Sequence, residues 1–195
     1  MFRTRFKNEI VAEFLPPSRP RKKQKLIILC DGMPSIPRKQ PLSEFLAAKG
    51  FWVIYPRYRG AWESGGEFLS RSPHEDILDV LDELPKELEE IAFGQRFRLA
   101  PHQVFVIGGS FGGAAAILLS LDHRVTRVVA NCPVVDWSIL DELRRPRLRN
   151  RTTPTTSAKR SGMGIGSRTR TGASFEAVRS TIRGTTETRL TAPRC

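Results

Sequence analysis

Three short apolar runs, KLIILC (25–30), FWVIYP (51–56) and VFVIG (104–108), most tightly limit what this chain can become. Each is too short for a buried helix and lacks an alternating polar face, the pattern of strands covered on both sides in a parallel sheet. TRVVANCP (126–133) reads as a fourth, and KNEIVAEFL (7–15) as an earlier strand closed by the loop PPSRPRKKQK (16–25). Between them the period changes. Residues 42–49 read as a short helix with Ser43 as its cap and Gly50 beyond its end. SPHE (72–75) combines a capping Ser, Pro at the first helical position and Glu three residues after the cap. It opens a helix over Ile77–Leu84, which Pro85 kinks or divides before KELEEIAFG ends at Gly94. SFGGAAAILLSL (110–121) is an apolar helix. Strands alternating with helices predict an α/β fold, a mostly parallel sheet with helices on both faces.

The charge is unevenly spread. The net charge is +12 over 195 residues, and residues 144–195 hold 13 Lys and Arg against 2 acidic residues, leaving the rest of the chain near neutral. That segment also carries 11 Thr in 151–195 and has no sustained apolar period, so a folded unit over 1–143 and a disordered basic tail over 144–195 are expected. GMGIGS (162–167) follows no strand and does not satisfy GxGxxG, so no cofactor is expected. Cys30, Cys132 and Cys195 are far apart and form no CxxC pair, which signals neither a metal site nor a disulfide framework. The start MFRTRFKNE is polar and no run reaches the roughly 18 apolar residues of a membrane span, so no membrane partner and a cytoplasmic location are expected.

The chemistry concentrates in GGSFGG (108–113), within which GGSFG fits G-x-S-x-G. The bare string arises by chance roughly 0.08 times in such a chain. Its setting is more specific, because it follows VFVIG and opens an apolar helix, the strand-turn-helix context of a nucleophile elbow. Ser110 is then the candidate nucleophile, and the amide of Phe111, at the helix N-terminus, a candidate oxyanion donor. The competing reading is a Gly-rich turn used for packing or for cradling a phosphate. DGMPSIP (31–37) follows KLIILC at the place of a second donor, with the Met33 amide as candidate and an ordinary Pro-rich turn as alternative.

CDGMPSIP, YPRYRGAWESGGEF (55–68) and GGSFGG, each after its own strand, resemble the catalytic domain of prolyl oligopeptidase-type serine peptidases in the alpha/beta-hydrolase superfamily. The resemblance covers about residues 25–137. It implies Ser110 as nucleophile, Phe111 as oxyanion donor, and a peptide or ester substrate. Prolyl oligopeptidases often supply a tyrosine hydroxyl from the first of these loops, where this sequence has Asp31, Gly32 and Met33.

Such hydrolases order their triad Ser, acid, His. The three histidines, His74, His102 and His123, fall outside the expected place and read as isolated surface residues. Asp136 is an acid candidate or a solvated turn carboxylate, and no histidine follows it. Strong hydrolysis by this chain alone is therefore not expected. An unreactive hydrolase fold kept for interaction is one alternative. Non-specific nucleic-acid binding through the tail and RPRKKQK (19–25) is another, and with one aromatic in the tail, Phe175, base stacking has little support.

A sheet stopping after the fourth of these strands would leave an apolar edge. The abrupt change near Leu143 has the character of a truncated or frame-shifted reading. Translating the other two frames of the coding DNA from about codon 143 should reveal further strands with an Asp and a His; if neither frame does, the idea fails.

Overall fold

A computed structural model describes residues 1–20 and 22–136; the 144–195 segment, with GMGIGS and Phe175, lies outside the described residues. The chain opens on a hairpin of β1 (Phe2–Phe6) and β2 (Ile10–Leu15), then runs through β3 (Lys25–Cys30), α1 (Gln40–Ala48) and β4 (Trp52–Pro56). It continues with α2 (Pro73–Glu83), a small hairpin of β5 (Leu88–Glu89) and β6 (Arg96–Phe97), β7 (Gln103–Gly109), α3 (Phe111–Leu119) and β8 (Val125–Asn131). Six strands form one sheet in the order β1-β2-β4-β3-β7-β8. β4, β3, β7 and β8 are parallel, and β2 joins β4 antiparallel, with Ala12 opposite Pro56 and Leu15 opposite Val53.

The two faces are covered differently. Leu26, Ile28, Ile54, Val104 and Val106 project onto one face, where Ile77, Val80 and Leu81 of α2 and Ala116 and Leu119 of α3 complete the main core. Ile27, Leu29, Val53 and Tyr55 project onto the other, where Leu46 of α1 packs. β3 and β4 are buried on both faces, as their continuous apolar runs require. β7 alternates instead, because Phe105 and Ile107 lie on the α1 side and are only half-buried there.

Several local expectations are corrected. The MFRTRF stretch is a strand, because Phe2 and Phe6 reach the main core while its backbone pairs with β2. α1 starts before Ser43, which is wholly buried inside the helix, its amide donating to the Lys39 carbonyl at 2.8 Å. Lys39 occupies the cap position and Pro41 the first turn, where a missing amide costs nothing. The helix after Ser72 keeps its capping box but ends at Glu83. KELEEIAFG is not helical: Leu88 is buried in the core, Ile91 donates its amide to the Arg3 carbonyl of β1, and Gly94 turns the chain at φ 67°. Pairing with the edge of β1 outweighs the helical propensity of the Glu-rich segment.

The turn from α3 into β8 is held by a forked ion pair, with the Arg124 guanidinium donating to both Asp122 oxygens at 2.9 and 2.8 Å. Those bonds hold the Asp122 carboxyl near a pKa of about 2, below its ordinary value of 3.8. A depressed carboxylate stabilises the fold above its unfolded pKa, and that contribution fades as pH falls through the folded one. Asp122→Asn should therefore lower the melting temperature at neutral pH. Thermal unfolding measured across pH should show the deficit shrinking from about pH 4 and disappearing only below about pH 2.

Candidate active site

Along the parallel strands the chain steps from β3 to β4 on one side, and then returns to β7 on the other. The segments leaving β3 and β7 therefore start side by side at the C-terminal ends of two strands whose connections run to opposite sides of the sheet, the usual place for a ligand in such a fold. The loop after β3 is DGMPSIP, and the residue after β7 is Ser110. Two segments singled out in the sequence thus meet at one edge.

Ser110 has φ 51° and ψ −117°, left-handed backbone that a residue with a Cβ adopts only under constraint. Its amide donates to the Asn131 carbonyl at 3.0 Å, and its carbonyl accepts from Gly113 at 3.0 Å and Val134 at 3.1 Å. The end of β8 and the first turn of α3 therefore fix the residue, while its side chain stays exposed. α3 descends so close to β3 that a Cβ on Gly112 would lie 2.2 Å from the Cys30 carbonyl oxygen and 2.5 Å from that of Asp31.

Phe111, the first residue of α3, is buried, its ring edge-on to Tyr58 at 5.2 Å and stacked on Phe68 at 5.9 Å. Its amide lies in the helix's first turn, beside Ser110. On the neighbouring loop after β3, a Cβ on Gly32 would come within 3.3 Å of the Ser110 Cβ. The Gly32 amide is already engaged by the Asp31 carboxylate at 2.9 Å, so the next amide along the loop is that of Met33, whose side chain packs against the main core.

Asp31 was missed as a site residue by sequence reasoning. It is 6% exposed, and its carboxylate accepts from Ser35 at 2.8 Å, from Lys39 at 2.9 Å and from the Tyr55 hydroxyl, while its carbonyl accepts from the Tyr58 hydroxyl at 3.2 Å. Burial pushes its pKa up, but the donors from Tyr55, Lys39 and Ser35 outweigh it and hold the carboxyl below its ordinary value. Both tyrosine hydroxyls thus come from β4 and the loop after it, and both end on Asp31.

The YRGAWESGG loop after β4 is locked by Arg59, whose buried guanidinium meets Glu9, Asp76 and, at 2.7 Å, Asp79. Its amide also donates to Asp76 at 2.9 Å. The loop carries Tyr58 and leads to Phe68, so this network supports the two rings on Phe111.

No histidine joins Ser110. His102 precedes β7 at the opposite end of the strand, roughly 25 Å away at the usual rise per residue, with its ring on the Gln24 carbonyl. His123 lies past the far end of α3, beside Asp122 and almost fully exposed. His74, in the first turn of α2, contacts the Ser72 hydroxyl at 2.7 Å, and burial lowers its pKa although Glu75 and Asp76 pull it up. Asp136 follows Val134 in the loop after β8, on the same edge as Ser110. Cys30 is buried with its thiol pushed up to about 12, chiefly by burial and then by Asp31, and Cys132 is exposed. Among the described residues no His, Cys, Asp and Glu group is arranged to hold a metal, and no helix is long and apolar enough to cross a membrane.

The prolyl oligopeptidase family matches residues 40–159, more than half of the chain. The chain belongs to that family. The match starts within α1 and runs beyond the last described residue. No curated protein matches the chain.

Among solved structures, Est1E from Butyrivibrio proteoclasticus with ferulic acid bound is similar, with a TM-score of 0.58 and 16% identity over 92% of this chain and 71% of that one. An alpha-beta serine hydrolase homologue from Coxiella burnetii gives 0.52 and 18% over 73% of this chain and 66% of that one. An esterase from Pyrococcus furiosus gives 0.52 and 20% over 68% and 50%. These likenesses give this prolyl oligopeptidase relative the alpha/beta-hydrolase fold, and it spans between 50% and 71% of those proteins' length.

The close approach of α3 to β3 separates two neighbouring glycines. Gly112→Ala forces backbone apart and should cost about 3 kcal/mol or more, read by denaturant unfolding. Gly109→Ala meets nothing nearer than the Asn131 oxygen at 4.0 Å and should change stability by under about 1 kcal/mol.

Proposed function

We propose that this chain carries the acyl-transfer site of a serine hydrolase acting on ester or peptide bonds, with Ser110 as nucleophile. The observation that carries the proposal is the constrained left-handed backbone of Ser110 at the end of β7, where the sheet's chain order reverses. The Ser110 Oγ adds to the substrate carbonyl carbon, the carbonyl pair moves to oxygen, and the hydroxyl proton passes to a solvent base. The resulting oxyanion accepts hydrogen bonds from the amides of Phe111 and Met33, and its collapse, with a proton returned from solvent to the leaving group, expels the alcohol or amine and leaves an acyl-Ser110 ester that water hydrolyses. Asp136 is the acid candidate of this site. The family's name favours peptides, whereas the esterases among the structural neighbours favour esters.

Each histidine of the chain is engaged elsewhere or distant from Ser110, which supports a site lacking its general base. Without that base, turnover in a serine protease falls by about a millionfold, so this site acylates slowly. The same observation favours a second reading, a hydrolase fold kept for interaction. The basic segment 144–195 keeps non-specific nucleic-acid contact as a weaker reading, whose binding would weaken steeply with salt.

A fluorophosphonate probe at high concentration separates the first two. The hydrolase reading predicts slow covalent labelling mapped to Ser110 by mass spectrometry, absent in Ser110→Ala and unchanged in rate when His74, His102 and His123 are replaced by Ala. A folded chain that resists the probe supports the interaction reading instead.

A further inference from the structure

A carboxylate beside an oxyanion site is an unexpected choice, because its charge opposes the one that develops there. Asp31 is such a group: it is the first residue after β3, and its loop passes so near Ser110 that a Cβ on Gly32 would lie 3.3 Å from the Ser110 Cβ. Its bonds show how the loop uses it. The carboxylate receives the Gly32 amide at the start of the loop, the Ser35 hydroxyl in its middle, the Lys39 ammonium at the entry of α1 and the Tyr55 hydroxyl from β4. One side chain thus ties together four places that would otherwise move separately. The Asp31 carbonyl in turn receives the Tyr58 hydroxyl and faces Gly112, one residue beyond Phe111.

We infer that Asp31 is a positioning residue: it sets the Met33 amide relative to Ser110 and Phe111, and Lys39 neutralises its charge so that it does not oppose the oxyanion. The inference rests on the hydrolase reading of Ser110. Asp31 touches no reacting atom, and its effect passes through the loop. Because an oxyanion donor acts in the transition state and little in the ground state, a displaced Met33 amide slows acylation without weakening ester binding.

The test is the release of p-nitrophenolate from p-nitrophenyl acetate by the full-length chain, followed for acylation rate, half-saturating ester concentration and amplitude. Asp31→Asn keeps the shape but removes the charge and one acceptor. It should slow acylation about 10- to 100-fold, with half-saturation unchanged within about twofold. A merely structural role would lower the amplitude, through a smaller folded fraction, and leave the rate constant of the folded molecules intact. Tyr55→Phe removes a single donor, keeps the fold if Asp31→Asn does not, and should slow acylation roughly threefold to tenfold. If Ser110→Ala abolishes release while both variants acylate at the wild-type rate, the inference is overturned and the hydrolase reading stands. Release that survives Ser110→Ala, or never rises above the uncatalysed rate, overturns both.

Discussion

Ser110 holds a backbone conformation that a residue with a Cβ normally avoids, at a cost on the order of 1–3 kcal/mol, and the edge of the sheet around it is organised to keep it there. Four backbone hydrogen bonds shared with β8, its following loop and α3 pin the residue. The descent of α3 against β3 fixes the direction of the helix, which leaves no room for a side chain at Gly112. Because β3 itself sits between β4 and β7, that contact ties the elbow to the centre of the sheet rather than to its edge. The exposed hydroxyl of Ser110 is thus carried by a heavily buried part of the described fold.

Support for the surrounding loops comes mainly from buried charge. Arg59 meets three carboxylates from the β1-β2 turn and α2, while Asp31 draws donors from its own loop, α1 and β4. A buried ion is costly unless several partners replace its water, and removing one partner costs more than the pair's net worth. Such groups add little to overall stability, but they allow very few arrangements of the loops that they join. The aromatic stack of Tyr58, Phe111 and Phe68 carries that restraint to the first turn of α3.

Much of this was legible in the sequence. KLIILC and FWVIYP announce β3 and β4 because central parallel strands must be apolar throughout, and SPHE announces the start of α2 because capping is local chemistry. GGSFGG was legible because its turn demands glycine where α3 meets β3. β1 was not, since its pairing partner β2 lies across a turn and its exposed Arg residues mask the alternation. The β5-β6 hairpin was hidden for a related reason: Glu-rich KELEE favours a helix locally, and only the long-range bond to β1 decides otherwise. Asp31 read as part of a Pro-rich turn because its significance lies in Tyr55, 24 positions away. The signal was an acidic residue directly after a buried strand, facing one tyrosine at the end of the next strand and another just beyond it.

The central claim is geometric: Ser110, Phe111 and Met33 form one site for a tetrahedral oxyanion. A crystal structure of the chain after prolonged reaction with a small alkyl phosphonate tests it directly. The account predicts phosphorus bonded to the Ser110 Oγ, with one phosphonyl oxygen about 3 Å from both the Phe111 and Met33 amide nitrogens. An adduct on another residue, or one on Ser110 whose oxygen faces solvent away from both amides, would contradict it.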